Sequence, residues 1–102
     1  MCGIAGIIES PDILNINNII DEFSKFNMYR GPDYYGRKTG DLGKLKYGIS
    51  HHRLSIIDLN ESANQPMVCN DWEIVFNGEI YNYKELKNSL VKAGVEFSTN
   101  SD

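Results

Sequence analysis

The chain begins Met1-Cys2-Gly3-Ile4-Ala5-Gly6-Ile7-Ile8, and this segment sets the first element of the fold. Its branched apolar residues and two glycines predict a short buried strand with room for close backbone approach. Cys2 directly follows a methionine of the kind that is usually trimmed before a small residue. Trimming would leave Cys2 with a thiol nucleophile and a free α-amine, whose ordinary pKa of about 7.7–8.0 suits a general base. In the alternative interpretation, Cys2 is a small hydrophobic residue at a frayed terminus.

A first amphipathic helix is predicted after this strand. Between residues 13 and 26, isoleucine and phenylalanine recur at three- and four-residue spacing, which marks one apolar helix face. Asp12 or Asn15 could cap the start of this helix. The helix is expected to end before Gly31-Pro32, because a proline that follows a glycine cannot continue it.

A second amphipathic helix is predicted over residues 83–93, where apolar side chains again follow helical spacing. Asn82 and Glu85 have the spacing of a capping box at its start. Gly94 is placed as the residue that closes its carboxyl end.

Short strands are predicted between the two helices. Residues 45–50 alternate apolar with other side chains, as in a strand with one covered face, and 54–58 form another short apolar segment. Asn70-Asp71 lies between residues 67–69 and 72–76, which predicts a two-residue hairpin loop. Because long alternation of strand and helix is missing, we expect an α+β fold with mainly antiparallel sheets.

Composition excludes several classes of protein. A chain of 102 residues is at most one domain, and its net charge of −4, with no basic block, disfavours nucleic acid and anionic membrane surfaces as partners. No apolar run approaches the roughly 20 residues that span a bilayer. The only two cysteines, Cys2 and Cys69, are too few for a disulfide framework, so a reducing, cytoplasmic setting is predicted. Cys69 is expected to be a buried hydrophobic residue.

Six segments together carry more information than any one of them. They are, in order, Met1-Cys2-Gly3-Ile4-Ala5-Gly6, Arg30-Gly31-Pro32-Asp33, His52-Arg53-Leu54-Ser55-Ile56, Gln65-Pro66, Asn77-Gly78-Glu79-Ile80-Tyr81-Asn82 and Ser101-Asp102. This set resembles the glutaminase domain of class II glutamine amidotransferases, specifically the branch of the glutamine-hydrolysing asparagine synthetases. The resemblance extends over the whole chain.

The resemblance implies a particular architecture. Its fold is the four-layer αββα sandwich of antiparallel sheets found in N-terminal nucleophile hydrolases, and residues 1–102 would be the N-terminal portion of this glutamine amidotransferase domain. In the family the domain is nearly twice as long, and an ATP-using synthetase domain follows it. We therefore expect the chain to be truncated within its domain and to lack the synthetase domain.

The resemblance also implies catalytic residues. Cys2 would attack the side-chain amide of glutamine, form a γ-glutamyl thioester, release ammonia and finally yield glutamate. The Asn77 side-chain amide and the Gly78 backbone N–H would form an oxyanion hole for the tetrahedral intermediate, with Asn77 also contacting the substrate. Glycine suits that place because it permits unusual backbone angles and close approach.

Other residues would recognise the two charged ends of glutamine. Arg53 would bind the α-carboxylate through its planar fork of donors, and Glu79 and Asp102 would face the α-ammonium. Arg30 and Asp33 are expected to pair with each other and fix a loop near the site.

Simpler interpretations stand beside these assignments. Asn77-Gly78 is also the strongest short hairpin signal, and an arginine such as Arg53 usually lies on the surface. The pair His51-His52 lacks zinc-ligand spacing with either cysteine, so no metal site is predicted. A triad could be written from Ser55, His52 and Asp58, but no nucleophile-elbow motif accompanies it.

The expected partners follow from the resemblance. Glutamine would be the small-molecule substrate, and a synthetase domain or subunit would receive the ammonia for asparagine synthesis. ATP and magnesium would belong to that synthetase alone, so no cofactor is expected for this chain. A homodimer is a further option, and neither nucleic acid nor membrane is expected. The alternatives are a non-catalytic or partner-dependent remnant, and an amidotransferase that serves another acceptor such as a sugar.

Overall fold

A computed structural model describes residues 1–12, 15–56 and 59–102 of the chain. It contains five strands, two α-helices and one 3₁₀ turn, namely β1 (Gly3–Glu9), α1 (Ile16–Lys25), β2 (Tyr34–Leu42), β3 (Leu45–Arg53), the 3₁₀ turn (Glu61–Ala63), β4 (Met67–Cys69), β5 (Trp72–Ile74) and α2 (Tyr83–Lys92). The strands form one three-stranded and one two-stranded sheet, and all the pairings are antiparallel. The α+β class with antiparallel sheets is therefore confirmed.

β3 is the central strand of the larger sheet, with β1 on one side and β2 on the other. It continues beyond the predicted residues 45–50 to Arg53, since His52 pairs with Gly3 of β1 and Arg53 pairs with Tyr34 of β2. Polar residues at the end of β3 are buried here, which an alternation rule for exposed and covered faces does not foresee. The sheet thus carries the end of β3 into the interior.

β1 confirms the predicted strand, but its predicted burial is only partly right. Gly3 is buried, whereas Ile4 and Ile8 are 46% and 63% exposed. One face of the sheet is covered by α1, which contacts β3 and β1. The other face of β1 has no comparable cover among the described residues, so its isoleucines remain accessible.

α1 begins as predicted at Asn15, whose side chain accepts a hydrogen bond from the Asn18 N–H at 3.3 Å. Ile13, included in the predicted apolar face, lies outside the described residues. Ile20 is fully buried against the sheet. Gly48 of β3 lies beneath it, and a Cβ there would come within 3.3 Å of the Ile20 Cβ, so the absent side chain permits close helix–sheet packing.

The predicted hairpin is confirmed as β4 and β5, with Met67 opposite Ile74. Asn70 adopts a left-handed φ of 52°, the conformation that such short loops require. Cys69 is exposed, so its predicted burial is wrong because the hairpin packs against little else. Phe76, predicted within the second strand, lies beyond β5.

A cluster of three side chains links the hairpin to the larger sheet. The Tyr47 hydroxyl donates to Glu73 at 2.5 Å, and Lys38 lies 3.0 Å from the other carboxylate oxygen. The hydrogen bond to Glu73, together with burial, raises the pKa of Tyr47 to about 12. The same hydrogen bond lowers the pKa of Glu73.

α2 begins after Asn82 and ends before Gly94, as predicted, but its start lacks the predicted capping box. Gly94 has a φ of 92°, and the Val95 N–H donates to the Leu90 carbonyl at 3.0 Å, which completes a Schellman closure. Asn82 occupies the N-cap position without a side-chain cap hydrogen bond, so the predicted capping box is wrong. Its backbone has a φ of −97° and a ψ of 22°.

The remaining predicted segments are irregular where they are described. Residues 54–56 form no strand, and the last two residues of that predicted segment, Ile57 and Asp58, lie outside the described residues. Residues 95–102 contain no strand either. No helix in the described part of the chain is long and apolar enough to cross a membrane.

Candidate functional site

A cavity of about 520 Å³ lies where the end of β3 meets the segments around it. Its walls come from the N-terminus, the end of β3, the 63–67 loop, the segment after β5 and the segment after α2. Six of the residues singled out from the sequence line it, namely Cys2, Arg53, Asn77, Gly78, Glu79 and Asp102. We call this space the site cavity.

Cys2 is half-buried and fixed by backbone contacts. The Leu54 N–H donates to Cys2 Sγ at 3.3 Å, and the thiol lies 3.8 Å from the Leu54 carbonyl oxygen. Arg30 Nε donates to the Cys2 carbonyl at 3.2 Å, which holds the main chain beside the thiol. Met1 is 75% exposed, so its peptide bond is open to a trimming enzyme.

Arg53 is 7% exposed, so it is not the surface arginine of the simpler interpretation. Its Nη1 donates to the Asn60 carbonyl at 3.0 Å and to the Asn64 side-chain oxygen at 2.8 Å. The loop that carries the 3₁₀ turn therefore sets the orientation of the guanidinium. A buried guanidinium on a cavity wall is suited to bind a carboxylate.

Asn77 and Gly78 follow β5 in an irregular, exposed segment, and no strand of the described chain returns after them. The hairpin interpretation of Asn77-Gly78 is therefore wrong. The φ of Gly78 is not in the left-handed region, so unusual backbone angles are not what require glycine here. A Cβ at Gly78 would lie 2.8 Å from the Phe76 ring, so a larger residue would require that ring to shift.

Asp102 connects the C-terminal segment to the segment after β5 at the wall of the site cavity. Its Oδ2 accepts from the Ile80 N–H at 2.7 Å, and its Oδ1 accepts from the Ser101 hydroxyl at 3.3 Å. Glu79 immediately precedes Ile80 and is exposed at the cavity wall. One hydrogen bond thus brings two carboxylates that are 23 positions apart in the sequence to one side of the cavity.

Arg30 and Asp33 do not line the cavity and form no ion pair with each other within the described residues. The predicted pairing is therefore wrong. Gly31 between them packs on the end of β3, where a Cβ would lie 2.3 Å from the His52 carbonyl oxygen. With the loop packed on β3, the side chains of Arg30 and Asp33 each contact a backbone group instead of each other.

Asp33 performs for the Arg53 segment what Arg30 performs for Cys2. Its carboxylate accepts from the Ser55 N–H at 2.7 Å, and its own N–H donates to the Arg53 carbonyl at 3.0 Å. The predicted role of fixing structure near the site is thus supported by different contacts. The 30–33 loop holds the backbone on both sides of Leu54, the residue whose amide contacts the thiol.

Two side chains without a predicted role contact Phe76 beside the cavity. Gln65 Oε1 accepts from the Phe76 N–H at 2.5 Å, and His51 Nε2 lies 3.2 Å from the Phe76 carbonyl oxygen. Gln65 did stand out, with Pro66, as one of the six ordered segments. His51 carried no such signal, since its burial depends on pairing with strands distant in sequence.

Alternative chemistries find no support around the cavity. The described residues contain no group of three or more histidine, cysteine or acidic side chains that could hold a metal ion. His52 stacks on the Tyr35 ring with centroids 4.7 Å apart. Asp58, the third member of the hypothetical triad with Ser55, lies outside the described residues.

Comparison with known proteins identifies the family. The family model described as a glutamine amidotransferase domain matches residues 1–102. The chain therefore belongs to the glutamine amidotransferase domain family. No solved structure matches it significantly.

Named relatives narrow the class. The chain is 36% identical over 107 residues to glutamine-hydrolyzing asparagine synthetase 1 of Bacillus subtilis, which covers 100% of this chain and 16% of the relative. It is 42% identical over 95 residues to synthetase 2 of the same organism, covering 88% and 12%, respectively. Amidase chry2 of Gibberella zeae is 37% identical over 114 residues, covering 100% and 16%.

The chain is thus homologous to part of the glutamine-hydrolysing asparagine synthetases. It spans about a fifth or less of the length of these curated relatives.

Proposed function

We propose that this chain is the glutaminase part of an asparagine-forming amidotransferase, and that it hydrolyses the side-chain amide of glutamine to glutamate and ammonia. The observation that carries the proposal is the site cavity, in whose wall a thiol, a buried guanidinium, an Asn-Gly segment and two carboxylates are found together. Family membership supports the same reaction class.

Recognition of glutamine uses its two opposite charges. The carboxylate of the substrate binds the Arg53 guanidinium, which is 7% exposed and oriented by the 60–64 loop. Glu79 and Asp102 attract the substrate ammonium group. A zwitterion suits this cavity because a guanidinium and two carboxylates line it. The side-chain amide then extends toward Cys2.

Catalysis begins with the thiol. After removal of Met1, the Cys2 α-amine accepts the thiol proton, and the thiolate attacks the amide carbon. The resulting tetrahedral oxyanion is stabilised by the Asn77 side-chain amide and the Gly78 N–H. Collapse of the intermediate breaks the C–N bond as the α-ammonium protonates the departing ammonia. Water then hydrolyses the γ-glutamyl thioester to glutamate and restores the thiol.

The wider assembly is also part of the proposal. The chain provides the N-terminal part of a four-layer αββα sandwich, and its ammonia passes to a synthetase domain or subunit that uses ATP and magnesium. The glutaminase reaction itself requires no cofactor, because a thiol, an amine and hydrogen-bond donors complete it. A reducing cytoplasmic setting keeps the Cys2 thiol free, and a homodimer is the proposed oligomer.

A second candidate is a remnant that folds only against a partner. It is favoured by one observation, namely that none of the residues of β4, β5 or α2 is buried. In this case the chain would bind a partner and have no glutaminase activity of its own.

Glutaminase assays of the chain and of two cysteine variants separate the candidates. We expect wild-type activity that Cys2→Ala abolishes and that Cys69→Ala, the matched control at an exposed cysteine, preserves. Intact mass should show Met1 removed from the active protein. Activity that persists in Cys2→Ala, or full activity with Met1 retained, would refute the mechanism, and a chain without activity alone would favour the remnant.

A further inference from the structure

The Phe76 peptide groups are held by side chains on both sides. Phe76 lies two residues beyond the end of β5, so no strand pairing fixes it. Instead, its N–H donates to Gln65 Oε1 at 2.5 Å, and its carbonyl oxygen lies 3.2 Å from His51 Nε2. We call these two contacts the Phe76 clamp.

The clamp is anchored in the larger sheet. His51 is 1% exposed and lies in the central strand β3, opposite Ile4 of β1 and Gly36 of β2. Gly36 also supports the other half of the clamp, since a Cβ there would lie 2.1 Å from the Gln65 carbonyl oxygen. Both clamping side chains are thus positioned by the best-packed part of the molecule.

The chemistry of His51 fits a fixed donor. Contact with a carbonyl oxygen requires a proton on Nε2, and Nδ1 is buried without a hydrogen-bond partner. Nε2 therefore carries the proton that the Phe76 carbonyl oxygen accepts. Burial lowers the pKa of His51, the hydrogen bond to the Phe76 carbonyl opposes this shift, and the nearby charge of Arg53 adds to it.

We propose that His51 and Gln65 are positioning residues for the oxyanion-stabilising pair Asn77 and Gly78. The inference rests on the proposed glutaminase function. By holding the N–H and C=O of Phe76, the clamp fixes the peptide planes on both sides of this residue. The second plane ends at the Cα of Asn77, from which the amide side chain and the peptide to Gly78 extend.

Positioning matters because Asn77 and Gly78 are exposed and lie in irregular backbone. Oxyanion donors stabilise a transition state only if they are aimed before charge develops. A misplacement of about 1 Å can cost about 100-fold in rate. The hydrogen bonds of the clamp orient the Asn77-Gly78 segment, which no secondary structure of its own orients.

Matched variants of the natural full-length protein test the clamp. Gln65→Met keeps the size of the side chain but removes the acceptor, whereas Gln65→Glu keeps an acceptor oxygen. His51→Met removes the donor, and His51→Gln restores an N–H at a similar reach. We expect the two methionine variants to lower kcat for glutamine by about 10–100-fold with little change in KM, and the two rescue variants to stay within about 5-fold of wild type.

A ligand comparison separates positioning from general structural damage. The probes are the γ-aldehyde analogue of glutamine and glutamate itself. The Cys2 sulfur adds to the aldehyde carbon, the carbonyl π bond breaks, and its oxygen takes the thiol proton or remains anionic in the oxyanion hole. We expect Gln65→Met to weaken aldehyde binding by the same factor as kcat while the Kd of glutamate stays unchanged.

Several results would overturn the assignment. Wild-type kcat in both methionine variants would do so, as would equal loss of aldehyde and glutamate binding or a failure of the rescue variants to recover activity. If wild type shows no Cys2-dependent glutaminase activity, the proposed function fails and takes the assignment with it. If wild type is active and Gln65→Met is equally active, the positioning role of the clamp is refuted and the proposed glutaminase function stands.

Discussion

The two halves of this chain hold their candidate site residues by different means. In residues 2–53 a helix covers one face of a sheet whose central strand is paired on both sides, and Ile20, Ser50 and His51 are almost fully buried. In residues 67–102 no residue is buried, and side-chain hydrogen bonds at Glu73 and Phe76 connect this half to the rest of the chain. We call residues 2–53 the packed half and residues 67–102 the tethered half.

The division coincides with a division of chemistry. The candidate nucleophile Cys2 and the candidate carboxylate-binding Arg53 belong to the packed half, where a backbone network around Leu54 holds both. The Asn-Gly segment and the two carboxylates belong to the tethered half. The proposed attack by Cys2 and carboxylate binding by Arg53 therefore depend on the larger sheet. The proposed stabilisation of the oxyanion and of the substrate ammonium depends on a few hydrogen bonds that single substitutions can remove.

The largest expected effect tests the packing difference directly. Ile20→Ala should lower the free energy of unfolding by about 2–5 kcal/mol, because it leaves a cavity beneath α1. Leu90→Ala in α2, at a side chain 44% exposed, should cost less than about 1 kcal/mol. Urea unfolding of both variants measures the contrast, and equal losses would show that α2 is covered and that the two halves are alike.

Asn77→Ala tests the chemistry of the tethered half. It should lower kcat for glutamine by about 10²–10³-fold, because one oxyanion donor is lost while the thiol remains. Asn88→Ala, at an exposed position of α2 away from the site cavity, is the matched control. Steady-state kinetics would count against the oxyanion role if Asn77→Ala changed KM alone.

Arg53→Ala tests the packed half through KM, whereas Asn77→Ala tests the tethered half through kcat. It should raise KM for glutamine by at least about 10-fold and lower kcat less, since the guanidinium binds a group remote from the reacting bond. Arg37→Ala, at an arginine outside the cavity that pairs with Asp21, controls for the loss of a charge. An unchanged KM would exclude Arg53 as the carboxylate-binding residue.

The smallest expected effect concerns the link between the halves. Tyr47→Phe removes the hydrogen bond to Glu73 and should cost about 0.5–1.5 kcal/mol near neutral pH. Folding raises the pKa of Tyr47 from 10 to about 12, so its contribution is complete below pH 10 and is lost as the pH rises toward 12.

The pH dependence of unfolding checks this link. Wild-type stability should fall between pH 10 and about 12 by more than that of Tyr47→Phe, whose phenyl ring carries no ionisable proton. At the acid end, the lowered pKa of Glu73 gives a contribution that is present above its ordinary value of 4.5 and lost below it. Parallel alkaline curves for the two proteins would show that the hydroxyl does not support the hairpin.

Local features of the fold were predictable because short segments encode them. The cap at Asn15, the hairpin loop at Asn70 and the helix closure at Gly94 each depend on a few neighbouring residues, and all three are present. The extension of β3 to Arg53 was missed, since it results from pairing with β1 and β2 and not from alternation.

The candidate site was only partly accessible from the sequence. A common location for Cys2, Arg53 and Asp102 came from a family resemblance, because no spacing rule joins positions so far apart. The contacts of Arg30 and Asp33 were predicted wrongly, since the loop lies flat on β3 and separates their side chains. The Phe76 clamp could not be foreseen, because it requires Gly36 to support the Gln65 backbone from another strand.

The hydrogen bond between Asp102 and the Ile80 N–H has a practical consequence for protein engineering. It brings Ile80 and Asp102 together, and α2, which is about 15 Å long, lies wholly between them in the sequence. The exposed turn at Gly94 is therefore an insertion point. A module inserted there would leave the contact between Asp102 and Ile80 in place, because both residues lie outside the helix.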